Sequence, residues 1–195
     1  MQFVTEAPIE ALQSAWINSV LPLVVQARGT QVLHASAVVG REGVVAFCGT
    51  SGTGKSTLAA CLAERGYSAF ADDALPYTVH PDGIMAQALP FTLRPRDPRP
   101  ASMYGRGPQP CRLQAIVILR PNEANRPVIT PPLRPAAALG ALMPHAYCFS
   151  LDEAKHELVD AYAKLVSQVP VYELRYPHDP AAVDSTAGVL EELLA

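Results

Sequence analysis

The sequence predicts an α/β domain with a mixed β-sheet, and three observations lead there. A glycine-rich phosphate-loop pattern lies between a short apolar run and a helical stretch. Further apolar β segments alternate with helical stretches along the rest of the chain. The run that feeds the loop has an upstream hairpin partner, which makes the sheet mixed rather than purely parallel. The 195 residues suit one substantial core, so residues 1–195 are expected to form a single domain.

The elements follow in chain order. Residues 9–27 mix apolar positions with few charges and contain Pro22, and they suit a strand or a short helix equally. Residues 31–39 read as a strand ending at the Gly40-Arg41-Glu42-Gly43 turn, with 44–48 returning as its hairpin partner. Alternation puts Val32, His34, Ser36 and Val38 on one face and Leu33, Ala35, Ala37 and Val39 on the other. A helix over 58–65 follows the loop and stops at Gly66, a residue suited to the left-handed turn after a helix. Residues 67–71 form a brief strand that delivers Asp72-Asp73 at its end.

Residues 76–93 read as short β segments broken at the Pro81-Asp82-Gly83 turn. From 94 to 110 there is no periodicity and prolines fall at 95, 98, 100, 108 and 110, so 94–112 is expected to be a mobile basic loop. An interior strand at 113–119 leads into a second proline-rich connection, and Pro135 suits the first position of a helix over 136–142. A helix over 151–169 carries apolar Ala154, Leu158, Ala161 and Leu165, with Asp152 and Glu153 at its favourable end. A strand over 171–176 and a helix over 180–194 close the chain.

The loop Gly49-Thr50-Ser51-Gly52-Thr53-Gly54-Lys55-Ser56-Thr57 fits G-x-x-x-x-G-K-[ST] at every fixed position. Its glycines let successive backbone N–H groups turn toward phosphate oxygens, backed by the positive end of the following helix. Lys55 supplies a point charge for the β- and γ-phosphates, and the Ser56 hydroxyl is placed for Mg²⁺. A nucleoside triphosphate or diphosphate is the ligand this chemistry fits.

Phosphoryl transfer also needs metal ligands and a group that orients or deprotonates the acceptor. Asp72 and Asp73 come 17 and 18 residues after Lys55, at the end of a strand that can run beside the one feeding the loop. Adjacent carboxylates there point in different directions, so one can reach Mg²⁺ while the other reaches the attacking hydroxyl. Two neighbouring negative charges also raise one pKa, which suits a base. Arg94, Arg96 and Arg99 can clamp phosphate or carboxylate groups of a substrate, since guanidinium forks suit both.

The segments His34-Ala35-Ser36-Ala37-Val38, 43–59 around the loop, and 65–73 ending in Asp72-Asp73 resemble the catalytic domain of the HPr kinase/phosphorylase family. The likeness lies with its shorter, HPr-kinase-related branch. The specific match spans roughly 31–75, with a looser likeness at 113–119 and 169–177. The resemblance implies a phosphoenolpyruvate-carboxykinase-like P-loop kinase fold and ATP- and Mg²⁺-dependent phosphorylation of a serine-like hydroxyl on a protein, peptide or small molecule. It also implies Asp72 as general base, Asp73 as the neighbouring acidic residue at the metal, His34 as an active-site histidine, and a homo-oligomer. Where the family carries a glutamate-containing, glycine-rich signature, this chain reads Leu93-Arg94-Pro95-Arg96-Asp97-Pro98-Arg99, so the acceptor stays open.

Charge and cysteine usage narrow the field further. Residues 94–134 hold eight arginines against Asp97 and Glu123, while 135–195 are strongly acidic. The basic segment suits a phosphorylated substrate, an acidic protein surface, or a solvated loop. Nucleic acid is not expected, because Tyr104 is the only aromatic residue interleaved with those arginines. Cys48, Cys61, Cys111 and Cys148 show no metal or disulfide spacing, and no apolar run suggests a membrane span, so a cytoplasmic protein is expected. A nucleotide-binding regulatory protein without phosphotransfer is the alternative function.

Overall fold

Helical structure opens the described chain, which settles the ambiguity over residues 9–27. The computed structural model describes residues 9–93, 102–104, 110–123, 126–147 and 152–195. Helix α1 (Ile9–Ala15) passes through a π-helical turn, Trp16–Val20, into α2 (Leu21–Ala27). Pro22 falls in the first turn of α2, where its missing N–H costs nothing.

Strands β1 (Gln31–Leu33) and β2 (Ala35–Val39) occupy the span expected to be one strand, and the ladder breaks at His34. The reason lies in their partners. Strand β2 lies between β3 (Val44–Cys48) and β4 (Ser68–Ala71), whereas β1 pairs with β5 (Leu75–His80). At the break, the His34 N–H goes to the carbonyl of His145 at 2.8 Å. Between β3 and β4 runs α3 (Lys55–Glu64), followed by Gly66 at φ +100°. The expected left-handed turn is there.

Strand β6 (Gly83–Ala86) makes a hairpin with β5 across Pro81-Asp82. Strands β7 (Phe91–Leu93) and β8 (Ser102–Tyr104) form a separate two-stranded sheet. Strand β9 (Cys111–Asn122) is longer than its sequence signal. The expected loop over 94–112 is therefore corrected in part: 102–104 pairs with β7, and Cys111 and Arg112 pair with β6. Residues 94–101 and 105–109 lie outside the described residues.

The remaining elements are β10 (Val128–Ile129), α4 (Pro135–Leu142), α5 (Asp152–Gln168), β11 (Val171–Pro177) and α6 (Val183–Leu194). Among the described residues, nine strands make one mixed sheet. Strand β3 has β2 antiparallel on one side and β9 parallel on the other, and β9 pairs in parallel with β11. Strand β4 therefore cannot lie beside β3, as its position after the loop suggested. Both edges of β3 are taken, and β4 pairs with the outer edge of β2.

Helices cover both faces. Leu33, Ala35, Ala46 and Ile118 pack with Leu158, Tyr162 and Leu165 of α5. The alternate residues Val38, Val45, Phe47 and Val117 pack with Leu58 and Leu62 of α3 and Leu190 of α6. Each fully buried aliphatic or aromatic side chain contributes roughly 1.5–3 kcal/mol. The period-2 pattern of β3 thus feeds two cores at once, with the 49–57 loop crossing the sheet's end between them.

Candidate functional site

The break at His34 has a counterpart across the ladder. Leu33 pairs with Leu75 and Ala37 with Ala71, so residues 34–36 face 72–74 with no regular pairing between them. His34, Asp72 and Asp73 all sit in this interruption. Asp73 is the only described non-glycine residue at positive φ, +62°. Its carbonyl accepts hydrogen bonds from His34 Nδ1 at 2.9 Å and from the Tyr147 hydroxyl at 3.3 Å. Such a conformation costs on the order of 1–2 kcal/mol, and these two donors hold it.

A carbonyl can only accept, so His34 carries its proton on Nδ1 and keeps a lone pair on Nε2. Burial, and then the Lys55 charge, lowers the His34 pKa, which keeps the imidazole neutral at pH 7. The Tyr147 ring meets the imidazole edge-on at 6.0 Å between centroids. Tyr147 is itself pushed up to about 12, chiefly by burial.

On the other side lies the 49–57 loop. Gly52 and Gly54 have φ of +84° and +82°, the region where glycine is favoured, and Gly54 caps the start of α3. At Gly49 a Cβ would stand 2.5 Å from Thr53 Oγ1, so the loop closes too tightly there for a side chain. Lys55 is buried, and its ammonium donates to the carbonyls of Gly49 at 2.8 Å and Thr50 at 3.3 Å. Burial lowers its pKa, and the charges of Asp73, Cys48 and Asp72 act against that.

Asp72 joins the two sides. One oxygen, Oδ1, accepts the hydroxyls of Ser36 at 2.6 Å and Ser56 at 2.7 Å. Its pKa is raised, as expected for one member of the acidic pair, but burial is the leading cause and the Asp73 charge a lesser one. His34, Ser51, Lys55, Ser56, Thr57 and Asp73 line a common cavity of about 260 Å³. The structure thus brings the predicted His34, Lys55, Ser56, Asp72 and Asp73 together with the 49–57 loop. Arg94, Arg96 and Arg99 fall outside the described residues.

Sequence reasoning passed over four neighbours. Ser36 had a signal: a polar residue inside an apolar strand, on the face of His34. Tyr147, His145 and Tyr176 had none, because they reach the site from more than 70 residues away. Tyr176 donates its hydroxyl to the Thr53 carbonyl. His145 is buried, and its pKa is pushed down to about 4 by burial and then by the charges of His34, Lys55 and Arg120.

The oxygen set of Ser56, Asp72 and Asp73 matches a hard cation such as Mg²⁺, which needs only one or two protein oxygens when phosphate supplies others. Among the described residues no three His, Cys, Asp or Glu side chains form a self-sufficient metal cluster. Cys48 and Cys61 are buried, and burial pushes the Cys48 thiol up to about 12, which makes it unreactive. No described helix is long and apolar enough to cross a membrane.

Fold and site together define a mixed α/β protein with a glycine-rich loop, a buried lysine and an acidic pair around one cavity. No protein-family model matches the chain, and no curated protein matches it in sequence. Among solved structures it is similar to the Hpr(Ser) kinase/phosphatase from Coxiella burnetii, at 14% identity and a TM-score of 0.48. That likeness covers 84% of this chain and 87% of the other. A likeness at that level carries no weight for the chemistry, which has to come from the site's own residues.

Proposed function

We propose that the chain is an ATP- and Mg²⁺-dependent kinase that transfers the γ-phosphate to a serine-like hydroxyl of a protein, peptide or small molecule. The fold would be that of a phosphoenolpyruvate-carboxykinase-like P-loop kinase of the HPr-kinase-related kind. The carrying observation is the single cavity that joins Lys55 and Ser56 of the loop to His34 and Asp73, with Asp72 hydrogen-bonded to Ser56.

In this reading the backbone of 49–57 and the Lys55 ammonium hold the phosphates. Ser56 and Asp72 would hold the cation, with Asp73 on the wall of the same cavity as Ser56. The cation, when bound, would neutralise charge on the β- and γ-phosphate oxygens. The acceptor oxygen attacks the γ-phosphorus, the bond from that phosphorus to the β–γ bridging oxygen breaks, and ADP leaves with the electron pair. The hydroxyl proton passes to a base on the cavity wall, Asp73 or His34 Nε2. This exchanges the two aspartate roles that the family resemblance implies, because Asp72 is the one in contact with Ser56.

Arg94, Arg96 and Arg99 remain candidates for gripping the acceptor. A homo-oligomer is also proposed. Its support is an exposed apolar stripe of Ile9, Leu12, Trp16, Val20 and Val24, on a segment with no charged residue from 11 to 27. A second copy would cover it without like-charge repulsion.

Purified protein, γ-labelled ATP, Mg²⁺ and a panel of peptide and small-molecule hydroxyls test the activity. Transfer that depends on Lys55 is expected, with Lys55→Ala losing both nucleotide affinity and turnover. Tight nucleotide binding with no transfer across the panel would favour the regulatory, non-enzymatic alternative. Unchanged affinity in Lys55→Ala would overturn the nucleotide reading altogether.

A further inference from the structure

A second, larger cavity of about 700 Å³ lies against the same loop. Thr57, Leu58, Tyr176, His178, Val183 and Thr186 form much of its wall, and it shares Gly52, Gly54 and Thr57 with the cavity of His34 and Asp73. The loop is thus the partition between two chambers of opposite character. One holds an ammonium, an imidazole and a carboxylate; the other has no ammonium or guanidinium among its described lining residues, and Leu58, Tyr176, Val183 and two prolines share its wall with three threonines, His178 and Asp179.

We infer that the larger chamber receives the nucleobase and ribose of the nucleotide, with the joint between β11 and α6 as the base-recognising wall. The inference rests on reading 49–57 as a nucleotide-binding loop. Its first support is size. A cavity of about 260 Å³ cannot hold a whole nucleoside triphosphate beside an acceptor, whereas about 700 Å³ falls in the usual range of small-molecule sites.

Charge is the second. Among the described residues no lysine or arginine lines the larger chamber, so a phosphate would find no cation there. The acid in its wall, Asp179, already accepts the Ala181 N–H at 2.9 Å. A flat, mostly apolar ring with hydrogen-bonding edges fits this lining better than an anion does. The polarity of the ligand follows: base toward Tyr176 and Val183, γ-phosphate toward Lys55, His34 and Asp73.

The wall is also fastened to the loop. The Tyr176 hydroxyl donates to the Thr53 carbonyl, which fixes the ring at the chamber's edge. His178 Nε2 donates to the Gly52 carbonyl at 3.0 Å. Occupying the chamber would therefore steady the turn that holds the phosphates. Triphosphate alone would lack that contribution.

The test compares ATP with inorganic tripolyphosphate, each with Mg²⁺, by calorimetric titration. Wild-type protein is expected to bind ATP at least about tenfold tighter. Val183→Trp, which crowds the wall proposed for the base, should weaken ATP about tenfold and leave tripolyphosphate affinity within twofold. His178→Ala, at the rim, should weaken ATP several-fold and serves if Val183→Trp does not fold. Equal wild-type affinities for the two ligands would overturn the base site while the loop reading stood. So would a folded Val183→Trp that binds ATP like wild type or weakens both ligands alike, or a folded His178→Ala that binds ATP like wild type. Binding of neither ligand by the wild type would sink both.

Discussion

The Ser56 hydroxyl donates to Asp72 Oδ1 at 2.7 Å, tying the first turn of α3 to the end of β4. A helix and the residue that follows a strand meet in this bond. It places Asp72, rather than Asp73, beside the hydroxyl best suited to a cation. Asp72→Asn is therefore expected to raise the Mg²⁺ concentration for half-maximal turnover by about tenfold or more, because a charged ligand is lost. Asp73→Asn should instead lower kcat by about 10²-fold or more with a small change in Mg²⁺ demand. Turnover measured across a Mg²⁺ titration separates the two. The reverse pattern would restore Asp72 as the base.

Much of this arrangement was legible in the chain. The 49–57 loop, its flanking strand and helix, the β2–β3 hairpin and the Gly66 stop all carry local signals, through glycine placement and apolar period. Alternation even placed His34 and Ser36 on one face. The break at His34 was not legible, because residues 31–39 are uniformly suited to a strand. It comes from partner exchange, with β1 turning to β5 while β2 stays with β3 and β4. The place of β4 outside β2 is likewise set by competition for the edges of β3. Tyr147, His145 and Tyr176 reach the site through tertiary packing alone.

Buried His145 makes stability fall in acid. Its pKa of about 4 lies below the usual 6.5, so the unfolded chain binds the proton more readily than the fold does. The sign is therefore fixed: stability from this group is full above about pH 6.5 and is lost as pH falls through about 4. The loss reaches about 3 kcal/mol at most, since each tenfold difference in proton affinity between fold and unfolded chain is worth about 1.4 kcal/mol. Lys55 and Arg120 face it with positive charge, and His34 adds to that charge only when it is itself protonated, so none of them offsets the cost of protonation. Urea denaturation between pH 7 and 4 should show the decline, and His145→Gln should flatten it. An equally steep decline in the variant would assign acid sensitivity to other groups.

Gly49→Ala tests the closeness of the loop. The added methyl would stand 2.5 Å from Thr53 Oγ1, and Thr53 is buried with its hydroxyl on the Thr50 carbonyl at 2.8 Å. Overpacking of this kind costs about 1–3 kcal/mol. Nucleotide affinity should fall with it, since the loop must shift to make room. Thr53→Ala combined with Gly49→Ala should recover part of the stability, giving a favourable coupling in a double-mutant cycle. Purely additive losses in urea denaturation would mean that the clash is relieved elsewhere.

His34 holds two jobs that substitution can separate. Its Nδ1–H fastens the carbonyl of Asp73, and its Nε2 keeps a lone pair at the cavity. The amide nitrogen of asparagine lies close to where Nδ1 sits, and asparagine has nothing at the place of Nε2. His34→Asn should therefore keep the Asp73 carbonyl bonded and stay within about 0.5 kcal/mol of wild type. His34→Ala leaves that carbonyl with Tyr147 alone and should cost about 1 kcal/mol more. If Nε2 takes part in the proton transfer, both variants lose kcat alike, by about 10²–10⁴-fold. Should His34→Asn retain near wild-type kcat while His34→Ala loses it, the histidine is a positioning residue for Asp73. The proton would then go to Asp73 directly.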